Sequence, residues 1–133
     1  MTDVGFRLSK IAVVMLGVKD LPRSVAFYRD TLGLRLQGEV PGEFAFFDLG
    51  PTMLALSTPL ADPRMTPSTV GAMEVVFGVE DVTAAYETLQ SRGVKFLTEP
   101  RNVSGANWSA IFTDPDGHRL SVFGPRLSPS RQQ

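Results

Sequence analysis

The chain carries one segment twice. Residues 14–36, reading VMLGVKDL…AFYRDTLGLRL, are answered by residues 74–96, EVVFGVEDV…AYETLQSRGVKF, at an offset of about 60 residues, longer than most solenoid repeats. Val18-Lys19-Asp20-Leu21 matches Val79-Glu80-Asp81-Val82, and Gly33-Leu34-Arg35-Leu36 matches Gly93-Val94-Lys95-Phe96. Any fold for this chain must therefore be two copies of one supersecondary unit.

Each copy opens on the alternation of a half-buried strand, Val14/Leu16/Val18 and Val75/Phe77/Val79. A helix follows. Asp20 and Asp81 are placed to cap it, and Pro22 falls early, where a missing N–H costs nothing. Val25, Tyr28 and Leu32 in the first helix, and Val82, Ala85, Tyr86 and Leu89 in the second, recur at helical spacing and give each an apolar face. Gly33 and Gly93 suit the left-handed position that ends a helix. Three strands are then expected in each copy, over 34–40, 44–49 and 52–57 and over 95–99, 108–113 and 119–123. The unit is βαβββ. The first module runs over about 9–57 and the second over about 70–124, joined by a linker rich in Pro, Ser and Thr over 58–69 and followed by a flexible tail over 125–133.

At 133 residues the whole is one domain, long enough to bury a core unaided. A net charge of -1 supplies no basic field, so neither nucleic acid nor an anionic membrane is an expected partner. The absence of cysteine removes disulfides, thiol nucleophiles and thiolate metal sites. Residues 1–10 lack the apolar run of a signal peptide and no stretch has the length of a membrane span, so a cytoplasmic location is expected.

The paired modules, the helix segment DLPRSVAFYRDTLGL and the late DPDGHRLSVFG together resemble the vicinal oxygen chelate superfamily over about Ile11 to Gly124. That superfamily includes glyoxalase I, ring-cleaving extradiol dioxygenases, fosfomycin-resistance enzymes, methylmalonyl-CoA epimerase and bleomycin-binding resistance proteins. The resemblance implies an α+β fold: two tandem βαβββ modules forming a U-shaped, partly open mixed β-sheet with helices on its outer face. It also implies four metal-ligand positions on the concave face, falling here on Val13, Ala55, Glu74 and Ser121. Only Glu74 has metal-binding chemistry, so neither metal nor other cofactor is expected. One histidine per chain also rules out a 2-His-1-carboxylate iron site within it.

Strand parity puts Leu54/Leu56 and Leu120/Val122 toward the helices, leaving Val13, Ala55, Glu74 and Ser121 on the other face. If Gly50-Pro51 is a two-residue hairpin, Ala55 lies opposite Phe46 and Met53 opposite Asp48. The same count across the turn at 114–117 puts Ser121 opposite Ala110 and Phe123 opposite Trp108. The expected ligand-binding set is then Met15, Phe44, Phe46, Ala55, Glu74, Trp108, Ser121 and Phe123, with Trp108, the sole tryptophan, as a reporter of binding. The competing account makes these aromatics a second core face sealed by a neighbouring subunit. Glu74 has three readings: a strand residue in water or paired with Arg119, an acceptor for a ligand, or a catalytic base with a raised pKa. His118 shares the parity of Leu120 and is expected at the rim or helix side as a turn-flanking residue.

The function expected is metal-free binding of a small apolar or aromatic ligand, as in drug or metabolite sequestration, by a homodimer. One alternative is a glyoxalase- or epimerase-like lyase or isomerase that uses Glu74 as base, with a metal bound at displaced positions or with none. The other is a dimerisation domain without a ligand.

Overall fold

A computed structural model describes residue 6 and residues 9–61 and 73–127. Most of the linker expected over 58–69, and the end of the tail from 128 on, lie outside the described residues. The first module comprises β1 (Val13–Gly17), α1 (Leu21–Ala26), β2 (Arg35–Val40), β3 (Phe44–Asp48) and β4 (Met53–Ser57). The second comprises β5 (Glu74–Gly78), α2 (Val82–Ser91), β6 (Arg101–Ser104), β7 (Asn107–Thr113) and β8 (Arg119–Pro125). Each forms a four-stranded mixed sheet, in the orders β1-β4-β3-β2 and β5-β8-β7-β6, with one parallel pair at the opening strand. The repeat in the sequence is thus a repeat in topology, and the expected α+β class and βαβββ modules are present. Among the described residues no helix is long and apolar enough to cross a membrane.

The helix starts follow from their caps. The Asp20 carboxylate accepts from the Arg23 backbone N–H, and that of Asp81 from Thr83 and Ala84. After α1 the chain widens into a π-helical turn, Phe27–Thr31, in which the Leu32 N–H reaches the Phe27 carbonyl. Gly33 and Gly93 then take positive φ, 80° and 91°, as a left-handed helix stop requires.

One apolar core joins both modules. Tyr28, Phe47, Leu54 and Leu56 from the first and Val82, Phe112, Leu120 and Val122 from the second are all buried within it. Polar contacts stitch the modules at the loop after β7. The Tyr28 hydroxyl donates to Asp114 at 2.8 Å, the Ser24 hydroxyl and the Lys19 N–H donate to Asp116, and His118 Nε2 donates to the Gly17 carbonyl. His118 is therefore structural in position, on the side the parity argument gives it.

The sixth strand lies elsewhere than expected. Residues 95–99 make only a single bridge, Phe96 to Phe112, and the N–H groups of Leu97 and Thr98 both turn to the Ile111 carbonyl. Pro100 has no N–H to continue a ladder, and regular pairing resumes beyond it as β6. At the other end, β8 runs through Pro125, and Arg126 is held by the Thr83 hydroxyl and the face of Trp108, 4.5 Å from the ring centroid. The chain is thus engaged past the point where composition suggests a loose tail.

Candidate ligand-binding groove

The faces turned away from the helices carry the candidate site. In the first sheet the register places Met15 beside Ala55 and Ala55 opposite Phe46, with Asp48 opposite Met53, as the hairpin count requires. Ala55 is fully buried between its neighbours, and the rings of Phe44 and Phe46 stack with centroids 6.0 Å apart. Val13 and Met15 remain 40% and 41% exposed, so this apolar face is uncovered. Met15, Phe44, Phe46 and Ala55 all fall where expected.

The second sheet departs from expectation by one residue. Thr113 pairs with Arg119, Ile111 with Ser121, Ser109 with Phe123 and Trp108 with Gly124. The reason lies in the turn. The Gly117 N–H bonds the Asp114 carbonyl, the Asp114 N–H bonds the His118 carbonyl, and Gly117 takes φ 92°. This is a three-residue hairpin loop ending in a left-handed glycine, one residue off the even-numbered loop assumed from Asp-Gly. A slip of one residue exchanges faces. Trp108 therefore packs against the core beside the helices instead of lining the groove, Ala110 is buried in that core, and Phe123 has Ser109 as its partner. The expected Phe123–Trp108 and Ser121–Ala110 pairs do not form.

What the groove face of this sheet does contain is a hollow of about 260 Å3 lined by Glu74, Val76, Arg101, Ile111, Ser121 and Phe123, among others. Val76 was accessible to parity, two residues beyond Glu74. Ile111 was hidden by the register slip, and Arg101 by the displacement of the sixth strand across Pro100.

Glu74 is paired. Arg119 Nε donates to its Oε1 at 2.8 Å. Partial burial pushes the carboxyl pKa up, but the Arg119 hydrogen bond, the nearby Ser121 hydroxyl and the Arg119 charge outweigh it, leaving the group below its ordinary value. That is the opposite of the tuning a general base requires, and it matches the structural reading in which Arg119 is the partner. Ser121, 1% exposed, sets its hydroxyl beside the Glu74 carboxylate and helps to hold that group ionised.

The metal positions of the resembling family do not suit a metal here. Val13 and Ala55 offer no donor atom, Ser121 offers a neutral hydroxyl, and Glu74 is already engaged by Arg119. Among the described residues no three His, Cys, Asp or Glu side chains gather in a way that would hold a metal ion. His118, the sole imidazole, spends Nε2 on the Gly17 carbonyl at 2.6 Å.

Comparison with known proteins agrees with the fold just described. The family model for the Glyoxalase/Bleomycin resistance protein/Dioxygenase superfamily matches residues 10–122. The chain belongs to that superfamily. Within the superfamily it is 31% identical to YraH of Bacillus subtilis, over 86% of this chain and 97% of that one. It superposes on lactoylglutathione lyase from Agrobacterium tumefaciens with a TM-score of 0.72 and 27% identity, covering 87% and 93% of the two chains. It superposes equally on TnmS3, an antibiotic binding protein from Streptomyces sp. CB03234, with a TM-score of 0.73 and 26% identity over 90% and 98%. Lyases and binding proteins thus share this scaffold, and the residues of the groove must decide between them.

Proposed function

We propose that this superfamily member is a metal-independent small-molecule binding protein, acting by sequestration of a drug or metabolite and not by turnover. The observation that carries the proposal is the groove face itself. At the positions where the family resemblance implies metal ligands, this chain has Val13, Ala55 and Ser121, with neither carboxylate nor imidazole, and the exposed Val13, Met15, Val76 and Val103 stand 40% to 57% in solvent. Large apolar side chains left in water on one face mark a surface that is covered in use. The similarity to an antibiotic binding protein supports the same reading.

The enzymatic alternative, with Glu74 removing a proton next to a carbonyl, is disfavoured by the Arg119 pair that lowers its pKa. Calorimetric titration with flat aromatic compounds, bleomycin-type drugs among them, should show saturable binding that a chelator leaves unchanged, with no transition metal in the purified protein by elemental analysis. One tightly held metal per chain whose removal abolishes binding, or turnover of α-keto thiol adducts or acyl-CoA esters, would sink this proposal.

A further inference from the structure

We infer that the chain holds a second small-molecule site, on the helix side between the two modules and apart from the groove. Its ligand is a small aromatic carboxylate, the ring filling an apolar hollow and the carboxylate meeting the Arg92 guanidinium. The repeat points to this site, because the same place in the first copy is filled by a side chain of the protein itself.

In each copy the chain leaving the helix bonds back to a carbonyl near the helix end: the Leu34 N–H to that of Tyr28, and the Val94 N–H to that of Leu89. Leu89 therefore stands in the second copy where Tyr28 stands in the first. The sheets give a matching equivalence. Phe47 opposite Leu54 answers Phe112 opposite Leu120, so the residue that follows the strand is Leu49 in one copy and Asp114 in the other. The Tyr28 side chain spans from its helix to the second module, where its hydroxyl donates to Asp114, and none of it is left exposed. Leu89 has neither the ring nor the hydroxyl to repeat that contact, and Leu49 has no side-chain acceptor to receive it.

The space left beside Leu89 is a hollow of about 340 Å3, lined by Leu32 and Leu34 of the first module and by Phe77, Leu89, Phe112 and Val122 of the second, among others. Phe112 and Val122 belong to the core, so the hollow opens directly onto it. Protein interiors are close-packed, and an apolar space of this size at the edge of a core is room for a guest. Its volume falls at the lower end of the roughly 300–1,000 Å3 of small-molecule sites, which suits a single ring. Among the described residues Arg92 is the one charged side chain in the lining, and it is exposed, at the solvent edge. One guanidinium N–H donates to the Thr31 carbonyl across the two modules, and a guanidinium has four more to offer. Glu87 and Glu99 line a separate hollow, and the surface beyond Leu32 and Leu34 carries Arg35 as well as Asp48, so Arg92 sets the sign of charge here. A donor-only cation at the edge of an apolar hollow selects an anionic acceptor on an apolar body, and the planar fork of a guanidinium matches a carboxylate. An amine would meet like charge, and an alcohol would gain only the weaker bond of a neutral acceptor.

Three probes of one shape, phenylacetate, 2-phenylethanol and 2-phenylethylamine, titrated into the full chain and followed by methyl NMR shifts, test the site. Phenylacetate should bind about tenfold or more tighter than the other two. Its shifts should fall on the methyls of Leu34, Val79 and Leu89 and spare those of Met15 and Val76 in the groove. Arg92→Gln should remove the advantage of phenylacetate over the alcohol while leaving the affinity for the alcohol unchanged. Leu89→Phe, which puts a ring into the hollow, should abolish binding of all three probes, and Ala85→Leu, on the same wall, serves if that variant does not fold. Absence of binding by every probe, equal affinity for the three or a preference for the amine overturns the inference. So does an undiminished phenylacetate advantage in Arg92→Gln, or undiminished binding in a folded variant with the hollow filled. Shifts confined to Met15 and Val76 overturn it as well, and would assign the binding to the groove instead.

Discussion

Trp108 shows how much one side chain's orientation weighs. As the sole tryptophan on a strand beside a predicted groove, it invites a role in stacking on a ligand, but its ring packs on the core and its outer face carries the Arg126 guanidinium. Trp108→Ala should therefore cost roughly 2–3 kcal/mol in a denaturant titration, somewhat below a fully buried tryptophan, while groove affinity per folded molecule stays unchanged. Asp114 carries a different signature. Burial raises its carboxyl pKa above the ordinary value of 3.8, more than the Tyr28 hydroxyl, the His118 charge and the backbone N–H groups of His118 and Asp116 lower it. Because the folded value exceeds the unfolded one, its contribution is fully present below the unfolded pKa and is lost as pH rises through the folded pKa. Asp114→Asn cannot take up that proton. The stability gap between the wild type and Asp114→Asn, read from urea melts, should thus widen as pH falls from neutral toward about 4, the ordinary range of the group.

At the scale of elements, the two hairpins of the groove faces differ in loop parity, and that difference decides which residues the groove contains. The β3–β4 connection keeps the even count, so Phe46 and Ala55 meet as their spacing suggests. The β7–β8 connection holds an odd loop, and the side chains of β7, Trp108 and Ala110 among them, lie on the face opposite to the one an even count gives. The β8 strand is pinned at its far end by Gly124, at φ 155°, where a Cβ would run into the Val79 carbonyl oxygen. That backbone cannot yield easily, because the Val79 N–H bonds the Phe123 carbonyl next to it. Gly124→Ala should accordingly destabilise by about 3 kcal/mol or more, combining overpacking with left-handed strain, and thermal melts of the purified variant would measure it. A loss under about 1 kcal/mol would mean that the Val79 strand end shifts freely.

For the whole molecule, the open question is what covers the apolar groove faces when no ligand is bound. Two sheets, the first with Val13 and Met15 and the second with Val76 and Val103 exposed on the face away from the helices, leave surface that isolated monomers seldom tolerate. We propose a two-fold homodimer that brings such faces together, consistent with the self-complementary contacts that closed symmetry favours. Light scattering at micromolar concentration should return twice the 14.5 kDa chain mass. A monomer mass would mean that the groove stays open to solvent and is closed by ligand alone.

The division between sequence and fold is physical. The doubling of the chain, the caps at Asp20 and Asp81, the left-handed glycines at 33 and 93 and the faces of the first sheet depend on local chemistry and on alternation within one strand, and these can be read residue by residue. The Glu74–Arg119 pair was also within reach as one reading of Glu74, since strand parity puts Arg119, two residues before Ser121, on the same face as Glu74. The register of β7 on β8 was not, because Asp-Pro-Asp-Gly is compatible with loops of either parity and only the bonds closing at Asp114, Gly117 and His118 choose one. The place of β6 was hidden for a similar reason: residues 95–99 have strand-like composition, and the partner they fail to pair with is a strand that follows later in the chain. The Tyr28–Asp114 bond, 86 residues apart in sequence, exists only once the modules share a core, which is where non-local packing overrides local pattern.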